Sequence, residues 1–242
     1  MFGEGFEGAM GGKKMSLEHH PGRYAIDFFP DLGKEGARWN EYLGYIEKTV
    51  SNPGNFLDKG GAGRIYEFGP QGLCIKMMKE RHHSAQSEMF QLGNSVSSES
   101  FFLDKISHFE VEGVRSPVFV EYFDGQENVG IVMEKLDAVN LQHILNGTDQ
   151  VPDGFELDDF FDRLESYIDE LHDRMKICHG DLEARNVMVD RGTGLPRVID
   201  FGRSVYTVGM DDRSRRLLES QDIQNIDRSK DLMKQLMLKK VN

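Results

Sequence analysis

With 242 residues, 38% of them hydrophobic and 29% charged, the chain has apolar material for one large domain or two small lobes around a sizeable core. Its formal net charge of -12 argues against non-specific nucleic-acid binding and favours, mildly, basic partners. No apolar run approaches the roughly 18 residues of a membrane span, and the two cysteines, Cys74 and Cys178, sit in apolar runs, which points to a reduced setting rather than a disulfide framework.

The first stretch, Met1 to about Pro21, is glycine-rich, shows no helical or strand period and does not read as a secretory signal peptide. Ile26-Asp27-Phe28-Phe29 reads as a short strand or a docked hydrophobic arm. From Lys34 to Val50, Trp39, Tyr42, Leu43 and Ile46 recur at helical spacing, so an amphipathic helix is expected, packed on the body that follows and ended by Asn52-Pro53-Gly54-Asn55. Phe56 to Phe68 places Gly60, Gly61 and Gly63 between two strand-like ends. A strand–glycine turn–strand lets backbone N–H groups approach phosphate oxygens unobstructed. The turn Gly69-Pro70-Gln71-Gly72 leads into Leu73-Cys74-Ile75-Lys76, an apolar strand ending in a cation. Glu99, Leu103 and Ile106 share a helical face behind the cap candidates Ser97 and Ser98.

Ser116 to Glu121 and Val129 to Glu134 read as strands joined through Asp124-Gly125-Gln126. Leu141 to Leu145 and Leu157 to Met175 read as helices, the second with Phe160, Phe161, Leu164, Ile168 and Leu171 as its buried stripe. Its acidic start, Phe155 to Asp159, suits the positive end of the helix dipole. Next comes H-G-D-L-E-A-R-N, with Asp181 and, five residues on, Asn186; then V-I-D-F-G, with Asp200. Asn186 to Val189, a turn over Asp190 to Gly194, and Leu195 to Ile199 form a hairpin signal. Such a hairpin carries Asn186 and Asp200 on adjacent strands with Asp181 on the loop before. One carboxylate and one amide oxygen suit a hard cation such as Mg2+, and the other carboxylate is left to accept a hydroxyl proton. Asp211 to Ser220 and Asp227 to Lys239 read as two further helices.

H-G-D-L-E-A-R-N followed by D-F-G resembles the catalytic loop and metal motif of the protein-kinase-like superfamily. The resemblance implies an α+β, bilobal kinase-like fold: an antiparallel-sheet N-lobe over 51–136, a reduced, mostly helical C-lobe over 137–242, and an N-terminal extension over 1–50. It implies ATP and Mg2+ as cofactors. Asp181 is then the catalytic carboxylate, and Asn186 and Asp200 are the metal ligands. D-K-G-G-A-G-R-I is similar to the family's glycine loop, with Gly60, Gly61 and Gly63 near the phosphates, Ile65 over adenine, and Asp58 where the first glycine stands. L-C-I-K resembles V-A-I-K, which makes Lys76 the phosphate-binding lysine, Cys74 an adenine neighbour, and Glu99 the partner of Lys76, with Glu88 as the second candidate. Met133 takes the gatekeeper place, the backbone of Glu134 and Leu136 faces adenine, and Asp137 or Asn140 faces ribose. Arg185 falls where a γ-phosphate contact or a plain surface charge is expected, and His179 where a histidine bonds the backbone near the D-F-G turn.

Two departures refine the reading. Gly180 replaces the arginine that reads an activation-loop phosphate, and no A-P-E follows D-F-G in the forty remaining residues, 203–242. H-G-D is the form seen in RIO-type atypical kinases, lipopolysaccharide kinases and aminoglycoside phosphotransferases, and the early stop resembles short kinases delivered by bacterial secretion systems. The expected activity is ATP- and Mg-dependent phosphoryl transfer to a hydroxyl, foremost by an atypical serine/threonine kinase. The alternatives are a small-molecule or sugar phosphotransferase and a kinase-fold ATPase or binding module regulating a partner complex. A protein substrate or regulatory partner, no nucleic acid, no membrane span, and a cytoplasmic place (or delivery into a host cell) complete the expectation.

Overall fold

The computed structural model describes residues 37–59, 63–69, 72–78, 96–124 and 129–241. The expectations for the leader, for Ile26 to Phe29, for Glu88 and for Gly60 and Gly61 fall outside them. In chain order the elements are α1 (Ala37–Ser51), β1 (Phe56–Lys59), β2 (Gly63–Phe68), β3 (Leu73–Met78), α2 (Val96–Ile106), β4 (Glu110–Val111), β5 (Val114–Arg115), β6 (Phe119–Asp124) and β7 (Val129–Glu134). They continue with β8 (Ala138–Asn140), α3 (Leu141–Leu145), α4 (Leu157–Glu170), β9 (Ile177–Cys178), β10 (Val187–Asp190), β11 (Pro196–Val198), β12 (Val205–Tyr206) and α5 (Asp212–Val241). Contacts divide the chain into two units; Val120–Val132 joins the N-terminal residues in the first, and the second holds the rest.

The first unit is a sheet in the order β1-β2-β3-β7-β6, with β1–β2 and β2–β3 antiparallel. In β3, Leu73 to Met77 are all buried, which is why the strand reads as a continuous run rather than an alternation. Tyr42 and Ile46 of α1 close a core with Tyr66, Phe68, Leu73, Ile75, Met77, Val120, Phe123 and Val132. The expected helix thus packs on the sheet, with Tyr42 edge-on to Phe68 at 6.1 Å. It stops at Asn52, whose side chain accepts from the Gly54 N–H at 3.0 Å ahead of Pro53. Gly130 lets β7 lie close to its neighbours, because a Cβ there would meet Phe123 at 2.6 Å and the Lys76 carbonyl at 2.7 Å.

Glu121 of β6 is 2% exposed, and burial pushes its carboxyl up from 4.5 to about 8. The folded state therefore holds this proton through a pH range in which the unfolded state has lost it. That contribution is fully present below about 4.5 and is lost as pH rises towards 8. Glu121→Gln should flatten the fall in stability between these limits and raise the melting temperature more at pH 8 than at pH 5. Thermal unfolding at the two pH values checks this, and equal shifts at both would count against a buried, protonated Glu121.

In the second unit the sheet order is β4-β5-β11-β10-β8, beside a two-stranded β12–β9 sheet. The expected hairpin is present: Val187 pairs with Val198, Met188 with Arg197 and Val189 with Pro196. Its turn is held by Asp190, which accepts from Gly192 N, Thr193 N and Thr193 Oγ1 and is ion-paired with Arg197 at 2.9 Å. In α4, Phe160, Phe161, Leu164 and Ile168 are buried as expected, and Asp158 and Asp159 occupy the first turn.

Four boundaries differ from the sequence reading. The expected helix to Met175 ends its regular part at Glu170 and widens into a π-turn, Leu171–Met175, closed by Lys176 at φ 56°. The strand read from Ser116 starts at Phe119, because Pro117 offers no N–H and Ser116 instead bonds Tyr167 Oη at 3.0 Å. Ser97 and Ser98 lie inside α2, which begins at Val96, so they do not cap it. The two C-terminal helices are one, α5, capped by the Asp211 carboxylate on the Arg213 and Ser214 N–H groups. No glycine or proline interrupts 211–241, and Asp222, Ile226, Ser229 and Met233 give it one continuous buried stripe.

Candidate active site

The β10–β11 hairpin sets the site. Ile199 N donates to Asn186 O at 3.0 Å, one step beyond the Val187–Val198 pair, so Asn186 and Asp200 flank the same end of the ladder. Asn186 is 4% exposed, and its Nδ2 donates to Asp181 O at 2.7 Å and Asp181 Oδ2 at 3.2 Å. That fixes which way the amide faces: the nitrogen is spent on Asp181, and Oδ1 is the ligand-type atom not used there. Asp200 holds the left-handed conformation at φ 64°, ψ 69°, and its Oδ1 accepts a long bond, 3.4 Å, from Gly202 N. A non-glycine residue kept in this region by its surroundings is a common mark of a functional position. One amide oxygen and one carboxylate form the hard donor set that Mg2+ prefers, so these residues fit the ion that the motif implies.

Asp181, 15% exposed at its side chain, sits under two guanidinium groups. Arg185 Nη2 reaches its Oδ1 at 2.8 Å, Arg203 Nη1 reaches the same oxygen at 3.4 Å, and Arg185 also pairs with Glu183. Arg185 is thus an ion-pair partner of both Asp181 and Glu183. His179 is the backbone-bonding histidine expected, with Nε2 at 3.0 Å from Ile199 O and its ring 4.7 Å from that of Phe201.

The loop before Asp181 hangs on a residue that the sequence reading missed. Asp222 of α5 is fully buried; its Oδ2 accepts from His179 N at 2.8 Å and lies 3.0 Å from His172 Nε2, while Oδ1 accepts from Gly180 N at 3.0 Å. The usable signal was its place on the same helical stripe as Ile226 and Met233. His172, Cys178 and Asp222 bring ligand-type atoms within 4.8 Å of one another. Yet both Asp222 oxygens already serve N–H groups, and burial pushes the Cys178 thiol up to about 12, so the cluster is a hydrogen-bond hub. Gly180 holds φ 75°, and a Cβ there would lie 2.5 Å from the Arg203 carbonyl. An arginine at this place is sterically barred.

The other expected residues divide between the units. In the first, Gly63 opens β2, Ile65 is half-buried on it, and Cys74 and Lys76 are buried on β3. Asp58 is exposed on β1, its carboxylate accepting from Lys59 N. In the second, Glu99 is 2% exposed on α2, on the face it shares with Leu103 and Ile106. Met133, Glu134 and Leu136 are half-buried at and after the end of β7. Glu134 N is committed to Val118 O at 2.9 Å and is not the group that faces a ligand. Its carboxylate grips Arg115 through two bonds of 2.5 and 2.7 Å; burial opposes the charge, but Arg115 and the Val118 N–H hold it below the usual carboxylate range. Asn140 caps α3 through Gln142 N at 2.9 Å and donates to Arg185 O at 2.7 Å. Asp137 is exposed near Arg191.

A family model described as Protein kinase domain matches residues 55–218. A comparison with curated proteins finds no match. The matched span takes in the glycine turn, β3, α2, both acidic motifs and the hairpin between them, and it is more than half of the chain, which therefore belongs to the protein kinase domain family.

Proposed function

We propose that the chain is an atypical protein kinase that uses ATP and Mg2+ to phosphorylate serine or threonine hydroxyls. The observation that carries this reading is the linkage of Asp181, Asn186 and Asp200 through one hairpin and one amide. In it, Asp181 orients the acceptor hydroxyl and takes its proton through Oδ2, the oxygen not shared with the arginines. Asn186 Oδ1 and the Asp200 carboxylate hold Mg2+, which when bound offsets the charge of the phosphates. Lys76, with Glu99 as its expected partner, and the backbone of Gly60, Gly61 and Gly63 bind the phosphates. Ile65, Cys74, Met133 and the backbone of Glu134 and Leu136 enclose adenine. Positioning and charge neutralisation supply most of the barrier reduction for such a transfer.

The atypical assignment is supported by Gly180, whose φ and clearance exclude the arginine of phosphorylation-controlled loops. The loop itself offers little to modify. Ser204 is buried and donates to His179 O, and Thr207 is buried and bonds Lys176 O. Tyr206 packs against Phe101 and Phe102 of α2 at 5.8 and 5.4 Å. Phosphatase-treated protein is therefore expected to keep its activity. A large loss on that treatment, restored by self-phosphorylation at Ser204, Tyr206 or Thr207, would overturn this reading of control.

A cytoplasmic place is part of the proposal; Cys74 and Cys178 are free and buried, and no helix among the described residues is long and apolar enough to cross a membrane. The deciding experiment is incubation with γ-labelled ATP and Mg2+, with a basic protein, an acidic protein and a panel of small alcohols and sugars, followed by phospho-amino-acid analysis. Label on serine or threonine supports the proposal, label on a small molecule favours the phosphotransferase alternative, and free phosphate alone favours the ATPase.

A further inference from the structure

We propose that Arg203 is a specificity residue that selects acceptors bearing an anionic group beside the reacting hydroxyl. The inference rests on the protein-kinase reading above and names the substrate class for that site. Two guanidiniums meet on one oxygen of Asp181, but they are not equivalent. Arg185 is spent, with one nitrogen on Asp181 and another on Glu183. Arg203 makes one long contact, 3.4 Å, and no other partner for its guanidinium is found among the described residues. Half of its side chain is exposed. A guanidinium offers five N–H donors in a planar fork suited to carboxylate and phosphate, so most of this one is unspent beside the carboxylate that must meet the acceptor.

The backbone that carries it is fixed. The turn Phe201–Arg203 is capped by Asp200 and closed by Ser204 N on Phe201 O, Ser204 Oγ is tied to His179 O, and the Arg203 carbonyl lies against Gly180. Only the head of the side chain is left to turn. A carboxylate or phosphate flanking the acceptor hydroxyl gives this head a bidentate partner in place of its single 3.4 Å contact. The same move leaves Asp181 Oδ1 to Arg185 alone and does not touch Oδ2, the oxygen assigned to the acceptor proton. The overall charge of -12 does not oppose this. Charges beyond roughly 8 Å are screened at physiological salt, and the local pairing decides.

The test uses two peptides that are identical except for the residues flanking one serine, aspartates in one and lysines in the other. Transfer from γ-labelled ATP should show the lower KM for the aspartate peptide. Arg203→Gln should raise that KM about tenfold, the size expected for losing a charge-assisted bidentate contact, without raising it for the lysine peptide. Arg203→Lys should recover part of the loss, and Arg203→Glu should reverse the preference. Arg216→Gln, exposed on α5, should change neither peptide. Fluorescence anisotropy of an alanine-for-serine aspartate peptide, measured without nucleotide, should show the same Arg203 dependence in variants whose melting temperatures match the parent. Transfer that does not distinguish the peptides, or an Arg203→Gln loss equal for both, overturns the inference and leaves the kinase reading standing. No transfer to any acceptor overturns both.

Discussion

Asp200→Ala is expected to lower turnover by about a thousandfold or more, the scale of losing a group that stabilises transferring charge directly. The carboxylate is the only formally charged member of the Asn186–Asp200 donor pair, so its removal leaves a neutral amide oxygen to hold the cation. The fold should survive. Asp200 Oδ1 accepts a long, 3.4 Å bond from Gly202 N, and the strain of alanine at φ 64° is of the order of 1–2 kcal/mol. Asn186→Ala should cost less in turnover, because the charged ligand remains. It should cost more in order around the site, because Asn186 Nδ2 holds both the carbonyl and the carboxylate of Asp181. Kinetics with γ-labelled ATP, alongside melting curves of each variant, separate the two effects. Normal turnover in a folded Asp200→Ala protein would mean that the metal assignment is wrong.

The parts of this site that were legible in the sequence are those that lie close together along the chain. The hairpin announced itself by two short apolar runs around Asp190 to Gly194, and its register follows from that turn. His179 and the acidic motifs came with it, all within 179–202. Glu99 was legible because Leu103 and Ile106 repeat its face, and all three are buried. What was missed depends on distance or on side-chain competition. Asp222 is an ordinary polar residue in an ordinary helix until α5 brings it 43 residues back to His179. The contact of Arg203 with Asp181 and the cap that Asn140 places on α3 were not legible, because nothing in a sequence says which hydrogen bonds a side chain has made. The π-turn after Glu170 was invisible for a related reason: periodicity places Leu171 on the buried stripe, but not the hydrogen-bond partner of each carbonyl around it.

Asp222→Ala is the substitution expected to do most harm from outside the reacting groups. Removing the carboxylate leaves the His179 and Gly180 N–H groups buried or half-buried without an acceptor, and His172 without its partner. Breaking one side of a buried charged cluster costs about 3–5 kcal/mol, a large part of the stability of a typical domain. Asp222→Asn is the sharper variant, since it keeps the volume and one oxygen but turns a donor toward a site that accepts only acceptors. It should destabilise less than alanine, yet still loosen Gly180, which sits at φ 75° with its N–H held by this carboxylate. Asp181 follows Gly180 directly, so turnover in Asp222→Asn should fall about ten- to a hundredfold even where melting shows the protein folded, the scale of misplacing a catalytic group by about an ångström. Faster hydrogen exchange at the Gly180 amide should accompany the loss, while nucleotide affinity changes little, because Asp222 bonds His172, His179 and Gly180. A folded Asp222→Asn protein with unchanged turnover and a slow Gly180 amide would show that the loop is held without Asp222, by the Asn186 amide and the bonds of His179 with Ile199 and Ser204.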